Sequence, residues 1–171
     1  MAEEIQTALS SRIRSAVLSS WLAALLIVAT FLPWLSTTQT PKGLGDTLET
    51  SRSVDLWRLV EPAASNHVPG TARVAAALIA CAVAVIVWVA AEGAAHRQTV
   101  VAACTTTAAA AVQGYLVHKV ADNADLYSGH EDTDADSVVH HVHIAVGMWA
   151  TLGLLIIAML AFIGLYLGGE R

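Results

Sequence analysis

One stretch constrains the fold more than any other. Residues His143–Leu167 read HIAVGMWATLGLLIIAMLAFIGLYL and contain no Asp, Glu, Lys or Arg. A helix of about 25 residues, at ~1.5 Å per residue, is long enough to cross a bilayer core with some tilt. A water-soluble helix of that length needs a polar face, and this one has none. Three other stretches, Ala16–Leu35, Ala72–Ala91 and Val100–Val120, share its length and its lack of interior charge. The expectation is an all-α integral membrane bundle of four transmembrane helices. They fall near residues 16–35, 72–91, 99–120 and 140–167, with outer loops 36–70 and 121–139 and one domain over all 171 residues.

Composition agrees. The chain is 13% charged, about half the share usual in a soluble domain. Its net charge of −5 argues against nucleic acid, which wants a basic stripe. The two cysteines, Cys81 and Cys104, fall at different depths by helix counting. They therefore read as apolar packing residues rather than a disulfide.

Arg12 and Arg14 precede the first span, and a positive flank of this kind stays in the cytoplasm. The run after them is too long for the core of a cleaved signal peptide, and no small-x-small site follows it, so a retained anchor is expected. Trp34 and Trp21 fit outer and inner interfacial positions. With the N-terminus inside, the C-terminus is inside too. The expected location is the cell membrane, with the lipid bilayer as the first partner.

The first outer loop opens with a turn-rich stretch, Thr37 to Asp46, expected to be irregular. A short amphipathic helix follows, with Ser53 as its N-cap, Asp55 in its first turn and Pro62 as its stop. Leu56, Leu59 and Val60 make one apolar face beside Trp57. That helix reads as a packing lid, or as an interaction surface through Leu56, Trp57 and Leu59. Four spans, a short inner loop and a long first outer loop with the Leu56-Trp57 pair resemble the outline of claudin-like proteins. The family pattern also has a Gly before the pair and two cysteines after it. Here Asp55 precedes the pair and the loop has no cysteine, so the resemblance is one of topology and implies no function.

The third span is rich in small residues. Ala102, Thr106, Ala110 and Gly114 repeat every four positions, and small residues favour close helix contacts. This helix is expected to be buried on most sides, with Gln113 hydrogen-bonded inside. A polar conduit formed by Thr106 and Gln113 is the alternative. Gly164 and Gly168 permit a close approach within the bundle or between protomers.

The second outer loop is acidic, and Asp136 or Ser137 is expected to cap the fourth helix. Histidines gather around this loop. On helices, His118 and Asp122 are i, i+4 neighbours, and His140 and His143 are i, i+3 neighbours. Together they would make an outward transition-metal site for Zn²⁺ or Cu²⁺, or a pH-responsive patch. The plain reading is solvated helix ends. A bis-histidine haem would want histidines deep in the helices, where there are none. Asp132-x-Asp134-x-Asp136 lacks the glycine and the final acid of a calcium loop.

No motif for an enzyme stands out. The expected function is a non-enzymatic accessory, assembly or interaction subunit of an envelope complex, or a homo-oligomer. The alternatives are an outward metal- or haem-binding protein and, third, a small channel or transporter. The last is weakened by the absence of charge within the spans.

Overall fold

The computed structural model describes residues 2–41, 50–60, 70–93, 95–122, 130–131 and 138–168, with side chains placed at 13–36, 53–58, 71–93, 95–122 and 143–168. In chain order the elements are α1 (Ala2–Phe31), β1 (Leu35–Pro41), β2 (Thr50–Val54), α2 (Leu56–Val60), α3 (Gly70–Glu92), α4 (His96–Asp122), β3 (His130–Glu131), β4 (Val138–Ile144) and α5 (Val146–Gly168). Four helical segments, Ile13–Phe31, Thr71–Glu92, His96–Asp122 and Val146–Gly168, are long and apolar enough to cross a membrane. The chain thus has the make-up of a multi-pass membrane protein.

The long helices close a ring: α1 packs on α3, α3 on α4, α4 on α5, and α5 back on α1. Each buries one stripe at helical spacing. On α3 the stripe is Ala75, Ile79, Ala82 and Ile86; on α5 it is Met148, Thr151, Leu155, Ala158 and Phe162. The opposite faces of α1 and α5 carry large exposed side chains, among them Trp21, Leu25, Val28, Ile157 and Leu160.

The all-α expectation needs a correction. The segments after the first span and before the last, expected as outer loops, contribute the strands of a four-stranded antiparallel sheet in the order β2-β1-β4-β3. Thr37–Pro41, the first part of the stretch expected to be irregular, belong with Leu35 and Ser36 to β1, one of the two central strands. The fourth span begins at Val146, not near 140, because VVHHVHI is a strand. Its β-branched Val and Ile positions favour a pleated surface over a helix. The first span ends at Phe31, two residues before Pro33, as the restricted residue before a proline directs. The third span runs longer than expected at both ends.

The sheet is fastened to the helices through Leu32-Pro33-Trp34. The Trp34 N–H donates to Val54 O (2.8 Å), Ala145 N–H donates to Trp34 O (2.9 Å), and Gly147 N–H donates to Pro33 O (2.7 Å). The last of these satisfies an orphan donor in the first turn of α5. Asp136 and Ser137, expected to cap that helix, lie outside the described residues. Trp34 is not an interfacial anchor. It is fully buried, and its Nε1 donates to Ala29 O at 3.3 Å. Trp21 is exposed on α1, ten residues before Phe31. Helix rise puts it about 15 Å below that end, near mid-span rather than at the inner edge.

The short helix α2 is present, but Ser53 belongs to β2 and Asp55 is the cap. Arg58 N–H donates to Asp55 Oδ1 at 2.8 Å. Pro62 lies outside the described residues. At the other end of the molecule, Gly93 turns the chain between α3 and α4 at φ 96°, and its N–H donates to Val89 O. Ala95 N–H donates to Gln98 Oε1 (3.2 Å), which is half of a capping box, and Gln98 Nε2 donates to Glu92 Oε2 (2.7 Å).

Candidate functional site

Three regions hold the residues singled out from the sequence: the polar interior of the ring, its outward faces, and the sheet with the neighbouring end of α4. In the interior, Gln113 and Thr106 on α4 and Thr151 on α5 are fully buried. Gln113 Nε2 donates to Met148 O at 3.3 Å, while its Oε1 has no partner. Both threonine hydroxyls donate back to their own helix, Thr106 to Ala102 O and Thr151 to Gly147 O. Because Gln113 makes one long hydrogen bond and leaves one acceptor unsatisfied, Gln113→Leu is expected to change stability by no more than about 1 kcal/mol. Thermal unfolding in detergent checks this. A loss of several kcal/mol would mean that the amide has a further partner.

The small-residue helix is not enclosed on most sides. α4 packs on α3 and α5. Thr106 and Ala110 are buried, and a Cβ on Gly114 would meet Leu152 Cδ1 at 4.0 Å, which is ordinary contact. Cys104, Thr107, Ala108 and Ala111 are exposed on the far side. α3 repeats the pattern, with Ala77, Cys81 and Ala84 exposed. Both cysteines therefore face outward, not into the core. Gly164 and Gly168 are also exposed, with nothing within 4 Å of an added Cβ. They do not serve a close approach within this chain.

Of the expected outer-loop interaction residues, Leu56 is fully buried in the core and unavailable to a partner. Trp57 is 48% exposed, stacks obliquely near Phe31 (centroids 6.1 Å apart) and donates from Nε1 to Thr30 Oγ1 at 3.1 Å. The side chain of Leu59 lies outside the described residues.

The expected histidine set divides. His118 Nε2 and Asp122 Oδ2 are 3.2 Å apart at the end of α4, on side chains 72% and 60% exposed. His140 and His143 are strand residues, three positions apart, and so belong to opposite faces of the sheet. The helical i, i+3 relation expected of them does not form. Among the described residues, no three His, Cys, Asp or Glu gather in a group that could hold a metal. The side chains of His130, His140 and His141 lie outside that description, although their backbone register is defined.

No family model matches the chain, and no curated protein matches it.

Proposed function

We propose that the protein is a non-enzymatic integral membrane subunit of the cell membrane that works by lateral association, with another membrane protein of an envelope complex or with further copies of itself. The observation that carries this reading is the division of the outward surface. α1 and α5 present bulky side chains such as Trp21, Leu25, Ile157 and Leu160, which suit lipid chains. In their middle turns α3 presents Ala77, Cys81 and Ala84 and α4 presents Cys104, Ala108 and Ala111, each set at i, i+4, i+7, while the bulky exposed side chains of these helices, Val74, Val87, Trp88, Val101 and Tyr115, lie toward their ends. Small residues let a neighbouring helix come close, and close packing drives helix association in lipid. Gly164 and Gly168 offer a second, narrower place for such contact on α5.

The start of α1, the α3–α4 turn and the end of α5 share one end of the ring, opposite the sheet. Arg12 and Arg14 near the start of α1 and Arg97 at the start of α4 support placing that end in the cytoplasm and the sheet outside.

Leucine at both Ala84 and Ala108 tests the association. In mild detergent the variant is expected to run as a smaller species, or to lose whatever co-purifies with the parent. A second variant, Gly164→Leu with Gly168→Leu, applies the same test to the α5 contact. Unchanged mass and unchanged co-purifying protein in both variants would reject the reading.

A further inference from the structure

Four exposed aromatic side chains stand at one height around the sheet end of the helix ring. Phe31 is the last residue of α1, and Trp149 lies in the first turn of α5; both are exposed. Gly147 N–H donates to Pro33 O at 2.7 Å. Phe31 and Trp149 each lie two residues further from the sheet than that bonded pair, and so are level. Gln113 Nε2 donates to Met148 O, which sets Tyr115, exposed on α4, within about one helical turn of Trp149 in height. Trp57 on α2 is exposed, and its ring lies 6.1 Å from that of Phe31. Its Nε1 is held by Thr30 Oγ1, so the ring is what it presents outward.

Charged residues frame the same level. Arg14, Arg73, Glu92 and Arg97 are exposed. Arg14 is seventeen residues before Phe31, Arg97 is eighteen before Tyr115, and Arg73, in the first turn of α3, is nineteen before Glu92. Helix rise makes these separations roughly 25–29 Å, close to the ~30 Å of a hydrocarbon core. No Asp, Glu, Lys or Arg falls inside any of them, nor between Trp149 and the end of α5. One boundary of an apolar slab thus runs through the four aromatic rings, and the other through Arg14, Glu92 and Arg97.

Trp and Tyr collect where hydrocarbon meets water, because the ring is apolar and its N–H or O–H wants a polar partner. Arg58, next to Trp57, and Arg73 are exposed at the same end, and a guanidinium suits the phosphates just beyond that boundary. The placement of the rings favours lipid over a protein partner. α1 and α4 are not neighbours in the ring of helices, so Phe31 and Tyr115 face out on opposite sides. One docked protein would cover one of them; a bilayer surrounds both.

We infer that the girdle of Phe31, Trp57, Tyr115 and Trp149 binds the ester-carbonyl layer of one bilayer leaflet and fixes the depth of the chain, with the sheet held in and above the headgroups. This rests on the chain's spanning a bilayer. It does not rest on lateral association, which leaves depth unchanged and is read by mass instead.

The test places the full chain in phosphatidylcholine vesicles that carry a spin label either near the ester carbonyls or near the chain ends. Trp34 is fully buried and is kept in every variant; a chain with Trp34 alone supplies the background. Trp21, Trp57 and Trp149 are each retained singly beside it, the other tryptophans being changed to Phe, and the Tyr115→Trp variant is made on the background chain. Emission from Trp57, Trp149 and the Tyr115→Trp indole should be quenched mainly by the shallow label, and emission from Trp21 mainly by the deep one. The depths of Trp149 and Trp21 should differ by about 15 Å, the helix rise over ten residues. If these chains fail to fold, judged by thermal unfolding, fluorotryptophan in the parent chain, assigned by single Trp→Phe changes, reads the same depths from fluorine relaxation. Stronger quenching of Trp57, Trp149 or the Tyr115→Trp indole by the deep label would overturn the inference. So would quenching of Trp21 with none at the girdle, which would then lie outside the lipid or under protein. Absence of quenching at every position, Trp21 included, would refute the bilayer reading itself and the inference with it.

Discussion

A Gly147→Ala chain is expected to lose about 3 kcal/mol of stability, at the upper end of what overpacking usually costs. A Cβ at this position would lie 2.7 Å from both Leu32 O and Pro33 O and 2.8 Å from Trp34 Cδ1. Two of those atoms are backbone, with no rotamer to escape into. Pro33 O also accepts the Gly147 N–H at 2.7 Å, so moving the carbonyl away would uncap α5. The control is Gly153→Ala, where nothing lies within 4 Å of the added carbon. That change should be neutral or slightly stabilising, since alanine is the better helix former. Thermal unfolding in detergent compares the two, and equal stability would mean that the contact at Gly147 is not as tight as described.

Trp34→Ala should cost about 3–5 kcal/mol, the range for removing a large buried aromatic residue. The indole is fully buried and belongs to the core cluster that joins the helices to the sheet. Trp34→Phe keeps most of the apolar burial and loses only the 3.3 Å bond from Nε1 to Ala29 O, so its cost should be near 1 kcal/mol. Because Trp34 and Gly147 touch the same carbonyl segment, the double change should cost less than the sum of the singles. Additive losses would show that the two residues act on separate parts of the fold.

The spans were legible because a bilayer demands about 20 apolar residues in a row, and four such runs stand out. Their ends were less legible. The run at Val138–Ile144 continues into the fourth span with no intervening charge, so periodicity alone could not separate strand from helix. Its clue was local: four of its seven residues are Val or Ile, spaced by histidines, as a pleated surface prefers. The histidine pairing followed from that choice. Read as helix, His140 and His143 are neighbours; read as strand, His141 and His143 are. Trp34 looked interfacial because it follows an apolar run. Only the three backbone bonds around Pro33 and Trp34 reveal a closed junction there, and such long-range bonds leave no mark in local sequence. The small residues of the third span were read as a sign of burial. Four of them, Cys104, Thr107, Ala108 and Ala111, face outward, so composition indicated close packing without saying on which side.

The central pairing of the sheet joins Leu35, just after the first span, to Ile144, just before the last. Two complete spans lie between these residues in the chain. During synthesis, β1 and β2 are both made before α3, and can pair at once. The other edge of β1 must then wait until α3 and α4 are in place and β4 emerges. Until that moment the chain carries an open strand edge at the sheet end of the bundle, a surface prone to pairing with the wrong chain. Completion of the fold is thus governed by a late, non-local closure rather than by the order in which the helices enter the bilayer. A chain cut short before β4 would keep three of its four spans and leave that edge permanently open.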